Sequence, residues 1–465
     1  MNKSGLEFLT LAAAAAAIKS KELSPVDLTN FSLEQISLLN PKLNAFITVL
    51  EEDALKKAKH AEAEIHKGNY MGLMHGIPYA VKDIYATRGI RTTNGASVFH
   101  ESFPSSNSTA VDRLDRAGAV LMGKNHCLEF ACGGHNPLYG EVHNPWNLDH
   151  IPGGSSSGSA SSVAAGLVFG SMGSCTGGSI RGPASFCGIV GLKPTYGLVS
   201  RHGVFPLSWS IDHAGPLART VEDCAIILQT VAGYDPKDPS SANVKVQDYV
   251  GSLRGGISGL RVGVPREFTE GADEEVVSRI EEAIQVLRRL GARIVHISLP
   301  ITGEYSSVSG NVITWSEAAQ VHAPWIQRFD EYTKGVRQKV LLGSVISSAM
   351  YHKAQQLRRL IQAEIQDAMQ EVDVLVGAST GTLPGKIQSN VGGDVSAYNM
   401  ATRRSFSRPQ NLTGQPAISV PCGFSKTGLP VGFQISGRLF EDAMVMKVAY
   451  AYQNATEWHN THPKI

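Results

Sequence analysis

The chain has 465 residues, 42% of them hydrophobic and 18% charged, the composition of a folded globular protein with a large core rather than a disordered one. Its 42 basic and 41 acidic side chains leave a formal charge of +1, so no global field favours nucleic acid or an anionic membrane. Six scattered cysteines (Cys127, Cys132, Cys175, Cys187, Cys224 and Cys422), none in a C-x-x-C pair, exclude a disulfide framework and make free thiols in the cytoplasm the expectation.

Along the chain, Leu11 and alanines 12 to 17 resemble the apolar stretch of an export signal. Glu7 interrupts the approach, however, and Lys19, Lys21 and Glu22 follow at once, so the segment reads as a short helix. No stretch approaches the roughly 20 apolar residues of a membrane span. Ser24 and Pro25 supply an N-cap and a first helical residue for a helix to about Leu39, and another starts near Glu51, so residues 1–67 are read as helical. The apolar runs Gly76 to Ile84 and Gly118 to Lys124 read as strands, separated by a helix that Ser108 caps. Strand, helix, strand predicts parallel pairing. Leu260 to Pro265, a helix from Asp273 to Leu290, and Ala292 to Pro300 repeat the pattern; a helix over Tyr351 to Gln370 then leads to a buried strand at Val372 to Ser379. The sum is an α/β fold, one mixed sheet with helices on both faces.

Three segments hold chemistry. Lys82 lies in the apolar strand "IPYAVKDI", where burial lowers an ammonium's pKa and turns it into a general base, unless it reaches solvent or pairs with Asp83. "PGGSSSGSASS" (Pro152 to Ser162) admits three readings: a G-x-S-x-G elbow with Ser156 at its centre, a phosphate cradle, or a supply of hydroxyls beside another nucleophile. A polar, proline-broken loop precedes it where an elbow needs a strand, and no G-K-[ST] ending follows. "SCTGGSIR" is either a tight turn or an anion-binding concavity in which N–H groups of Thr176, Gly177 and Gly178 converge beside Ser179 Oγ. Nothing local removes the Ser179 proton, so that reading needs a distant base such as Lys82.

In that order, "GIPYAVKDI", "PGGSSSGSASSVAAG" and "GSCTGGSIRGPASFCGIVGLKPTYG" closely resemble the amidase signature family, and the resemblance runs from "LSPVDLTNFSLEQISLLNPKLNAF" to "NLTGQPAISVPCGFSKTGLPVGFQISG". It implies a mixed twisted sheet sandwiched between helices and a single domain over 1–465, with the catalytic motifs in 68–220. It also implies a serine–cis-serine–lysine triad: Ser179 as nucleophile, Ser155 as proton relay with a cis peptide, Lys82 as base. Thr176, Gly177 and Gly178 become the oxyanion hole and Ser156 a supporting hydroxyl. The implied reaction is hydrolysis of a carboxamide, carbamate or ester through an acyl-enzyme, with no metal or cofactor. Residues 301–348, with Trp315, Trp325 and Phe329, are expected to contribute to the substrate pocket.

Two departures stand out. The family usually has aspartate at Cys175 and glycine at Ser157. The aspartate would partner Arg181, which is therefore expected to be held differently here. A thiol nucleophile at Cys175 and a non-catalytic amidase scaffold are the rival readings. His126, His135, His143 and His213 lack a convincing acid partner for a Ser-His-Asp triad, and Lys193 is assigned a structural role. Within the family, the glutamine-hydrolysing component of a tRNA-dependent amidotransferase carries an acidic residue shortly before its "NLTG"; residues 400–410 here, "MATRRSFSRPQ", have none. The expectation is therefore a free-standing amidase acting on a small molecule, with no nucleic-acid or membrane partner and with a homodimer left open.

Overall fold

The computed structural model describes residues 6–387 and 406–465. Its centre is an 11-stranded mixed sheet among the described residues, in the order β1-β3-β2-β4-β6-β5-β10-β11-β9-β7-β8. The strands are β1 (Phe46–Val49), β2 (Pro78–Lys82), β3 (Val120–Asn125), β4 (Gly170–Cys175), β5 (Val190–Lys193), β6 (His213–Ala218), β7 (Arg261–Pro265), β8 (Arg293–Ile297), β9 (Val374–Ala378), β10 (Ala417–Phe424) and β11 (Pro430–Ser436). β2 runs parallel to both β3 and β4, and β7 parallel to β8 and β9, while antiparallel pairs join the centre. The fold expected from the strand–helix–strand pattern is the one observed.

Local chemistry explains the helices. In the first stretch, α1 (Leu11–Lys19) is followed by α2 (Pro25–Leu43), where Ser24 Oγ accepts from the N–H groups of Val26 and Asp27 at 3.0 and 3.2 Å and Pro25 occupies the first turn. α2 runs on past Pro41 to Leu43 and stops at Asn44 in the left-handed region, beyond the expected end at Leu39. α3 (Glu51–His66) follows, but residues 1–67 are not purely helical: "FITV" forms β1, an edge strand antiparallel to β3. α4 (Thr109–Arg116) begins after Ser108 as expected, although the Ser108 hydroxyl makes no cap bond. Gly203 lies so close over it that an added Cβ would stand 2.6 Å from Ser108 Cα.

Two cores lie on opposite faces of the sheet. One gathers Tyr79, Val81 and Met172 with α1 and the helix α7 (Val221–Val231). The other gathers Ala80, Met122 and Cys175 with α5 (Ser157–Ala164) and α6 (Arg181–Cys187). Alternation along β2 therefore turns Lys82 to the face of Ala80, the side that α5 covers. Farther on, α8 (Glu274–Arg289), α9 (Pro300–His322) and α11 (Ser348–Glu371) pack at the β7–β9 end, and α10 (Lys334–Ser344) packs on α9 beside Phe130 and Leu207. No helix among the described residues is long and apolar enough to cross a membrane.

Candidate active site

β2 and β4 are parallel neighbours, so their C-terminal ends meet at one edge, and Lys82 and Cys175 close those two strands. Lys82 has no solvent exposure; its Nζ lies 2.6 Å from Ser155 Oγ and 2.9 Å from Ser174 Oγ. Burial draws its pKa from 10.5 down to about 8. Asp83, the other conceivable partner, points away and meets Lys124 at 3.3 Å and Thr93 Oγ1 at 2.5 Å. Lys82 is thus left with two hydroxyls and no carboxylate, the setting in which an amine works as a base. The Gly154–Ser155 peptide bond is cis.

The serine run holds this corner in place. Ser156 Oγ accepts from Ser174 N–H and donates to Ser174 O, both at 3.3 Å, tying the start of α5 to β4. Ser157 Oγ is 2.9 Å from His135 Nε2, and His135 Nδ1 is 2.5 Å from Glu141 Oε2. His135 therefore does have an acid partner, contrary to the sequence reading: Glu141 is six residues away in a loop, where no periodicity announces the contact. Ser157 and His135 are buried, so this relay braces α5 and does not face substrate. His126, His143 and His213 face the backbone oxygens of Asn44, Leu148 and Ile211.

Between β4 and α6 the chain makes the glycine-rich turn. Thr176 Oγ1 donates to Asp212 Oδ1 at 2.6 Å, while Asp212 Oδ2 accepts from the N–H groups of Leu207 and Ser208. Gly178 has φ +132°, a conformation open to glycine, and its carbonyl accepts from Gly182 N–H at 2.8 Å. Ser179 is half-buried beside it. Among the described residues Ser179 Oγ makes no hydrogen bond to Ser155 or Lys82. The structure therefore brings Lys82, Ser155 and Ser156 together around Ser174, and leaves Ser179 on the turn that begins there. Ser174 was missed in the sequence because nothing separates it from the other serines of "SMGSC". A cleft of about 210 Å³ opens at this edge, lined by Ser174, Thr176, Phe205, Trp209, Asp212 and His213 among others.

Behind the turn, Cys175 is fully buried and Arg181 is indeed held without a carboxylate. The Arg181 guanidinium donates to Gln434 Oε1 and Asn411 Oδ1, both at 2.6 Å, to Ser407 O at 2.8 Å and to Gln410 Oε1 at 3.1 Å, with Cys175 Sγ at 3.7 Å. Burial raises the thiol's pKa, but the Arg181 charge and hydrogen bond outweigh it and hold it below its ordinary value. Asn411 also donates to Cys175 O at 2.7 Å, a structural role visible in the sequence only as the first residue of "NLTG". Lys193 Nζ donates to Pro194 O. Trp325 and Phe329 pack into an aromatic cluster with Phe99, Phe205 and Tyr332 and do not line the cleft described above.

The family model described as Amidase matches residues 27–446. The A-type subunit of glutamyl-tRNA(Gln) amidotransferase from Marinomonas sp. (strain MWYL1) is 40% identical, with 98% of each chain covered. Among solved structures, a chain from a vestigial protein complex linked to the origins of an s-triazine catabolic enzyme superimposes with TM-score 0.89 at 30% identity, covering 96% of this chain and 98% of that one. The corresponding A-type subunit of the Thermotoga maritima amidotransferase does so with TM-score 0.81 at 34% identity, covering 96% and 94%. Such relatives, components by name of an assembly concerned with a tRNA, overturn the expectation of a small-molecule enzyme without a nucleic-acid partner. Charge summed over one chain reports its average field and is silent on what a companion chain carries. With the family model spanning nearly the whole chain and the relatives matching end to end, this protein belongs to the amidase signature family and is a hydrolase of carbon–nitrogen bonds.

Proposed function

We propose that this chain is the glutamine-hydrolysing component of a multi-subunit, tRNA-dependent amidotransferase in the cytoplasm, releasing ammonia from the glutamine carboxamide for a charged tRNA held by its partners. The observation that carries this reading is the end-to-end likeness to the A-type subunit of such an enzyme, 40% identical over 98% of both chains. The Lys82–Ser155 contact of 2.6 Å supports the mechanism. Neutral Lys82 takes the proton of Ser155, which takes that of Ser179; Ser179 Oγ bonds to the carboxamide carbon, and the oxyanion rests on N–H groups of Thr176, Gly177 and Gly178. As the C–N bond breaks, the proton returns through Ser155 to the departing ammonia. Water then hydrolyses the acyl-enzyme to the free carboxylate.

The test is ammonia release from glutamine by the purified chain, alone and mixed with the companion chains of such an amidotransferase, read by a coupled dehydrogenase assay. Glutamine-dependent ammonia that rises with the partners present is expected; turnover of other carboxamides with none from glutamine would contradict the reading. A second reading, a different carboxamide or a carbamate as substrate, is favoured by one observation, the absence of a carboxylate between residues 400 and 410. Of these, 400–405 lie outside the described residues.

A further inference from the structure

Arg408 opens a short helix, Arg408–Thr413, against the glycine-rich turn. Its guanidinium is seated between two glycines. A Cβ on Gly177 would stand 2.8 Å from Arg408 Cζ and Nη2, and one on Gly310 of α9 would stand 2.4 Å from Cδ and 3.0 Å from Nη1. A side chain at Gly310 would meet the arginine stem, and one at Gly177 would displace its charged head. Two bare backbones thus make room for one cation, and one of them, Gly177, lies two residues before Ser179.

That cation is nearly unpartnered among the described residues. Among the described residues its hydrogen bond is to Thr314 Oγ1 at 3.5 Å, the edge of the range, and no carboxylate pairs with it. Burial draws its pKa down to about 10. Its surroundings are poor in negative charge: Arg181 is bound by neutral oxygens and a thiol, and among the described residues the attraction on the Arg408 charge comes from Cys175, a thiol and not a carboxylate. A half-buried guanidinium with no carboxylate beside it among the described residues gains most from an anion that arrives with the substrate, and its planar fork suits a carboxylate.

We propose that Arg408 is the substrate-carboxylate receptor of this site, and that the chain prefers carboxamides carrying a carboxylate a few bonds from the amide carbonyl. The inference rests on the glycine-rich turn being the reacting site, as read above, and not on glutamine being the donor. Glutamine meets the requirement, and so do short dicarboxylic monoamides.

The discriminating pair is succinamate and butyramide, which share the carboxamide and chain length and differ by a carboxylate in place of a methyl group. Their dissociation constants are measured by NMR titration in the Ser179→Ala protein, with and without Arg408→Gln and Arg408→Lys, after circular dichroism has confirmed folding. Succinamate is expected to bind at least about 10-fold more tightly than butyramide, with the preference reduced to within about 2-fold in Arg408→Gln and partly kept in Arg408→Lys. Equal binding of the two amides by the protein that retains Arg408, or a preference unchanged in Arg408→Gln, would overturn the proposal. Glutamine turnover is read separately in the protein with Ser179 intact: its absence beside a retained succinamate preference removes glutamine as donor and leaves the role of Arg408 standing, whereas glutamine KM unchanged by Arg408→Gln removes that role and leaves the donor.

Discussion

Below about pH 8 the enzyme is expected to lose activity because its proposed base regains a proton. Lys82 is drawn to about 8 by burial between two hydroxyls, Ser155 at 2.6 Å and Ser174 at 2.9 Å. At pH 7 such a lysine is neutral in about one molecule in ten, against about one in 3,000 for an unperturbed one, so the environment multiplies the base form roughly 300-fold. The rate constant kcat/KM for a neutral carboxamide, followed by ammonia release from pH 5.5 to 9.5, is expected to fall about 10-fold per unit below pH 8 and to level above it. Lys82→Met, which keeps the length of the side chain, is expected to lose about 10² to 10⁴ in kcat/KM and the acid limb with it. A flat profile between pH 6 and 9, or a limb near pH 8 that survives in Lys82→Met, would refute the assignment of Lys82 as base.

Cys175 lies fully buried against Arg181, so Cys175→Ser is expected to keep kcat within about 10-fold; a loss beyond about 10³ would place the nucleophile on sulfur instead. Ser157→Ala leaves His135 Nε2 without its 2.9 Å partner in a buried site, which is expected to cost about 1–3 kcal/mol of stability in urea unfolding. An unchanged midpoint and slope would mean that the Ser157–His135–Glu141 relay does not brace α5. Asn411→Leu removes bonds to Arg181 and to Cys175 O at once and is expected to cost about 3 kcal/mol or more, because it strips a partner from a buried charge; an unchanged unfolding curve would show that the other oxygens around Arg181 suffice.

Much of the fold was legible because its elements carry strong periodic or capping signals. The Ser24-Pro25 cap, the strand–helix–strand run from β2 to β3 and the apolar strand before Ser379 all appear where the sequence places them. β1 was not legible: four residues between two helices are too few to show alternation, and their strand state comes from pairing with β3, about 75 residues on. At the site, the apolar surroundings of Lys82 announced its burial, and the glycines before Ser179 announced a close backbone turn. What the sequence hid are contacts made across long separations. Ser174 joins Lys82 only because β2 and β4 lie side by side, and Arg181 collects its oxygens from Ser407, Gln410, Asn411 and Gln434, more than 220 residues away. Net charge was a poor guide to partners for a related reason: one chain's balance does not describe what a companion chain would carry.

The nucleophile can be located by treating the folded protein with a fluorophosphonate probe and mapping the label by peptide mass spectrometry. A single label on Ser179, lost in Lys82→Met, is expected; a label on Ser156 or Ser157, or a folded and ammonia-releasing enzyme that takes no label, would refute Ser179 as nucleophile.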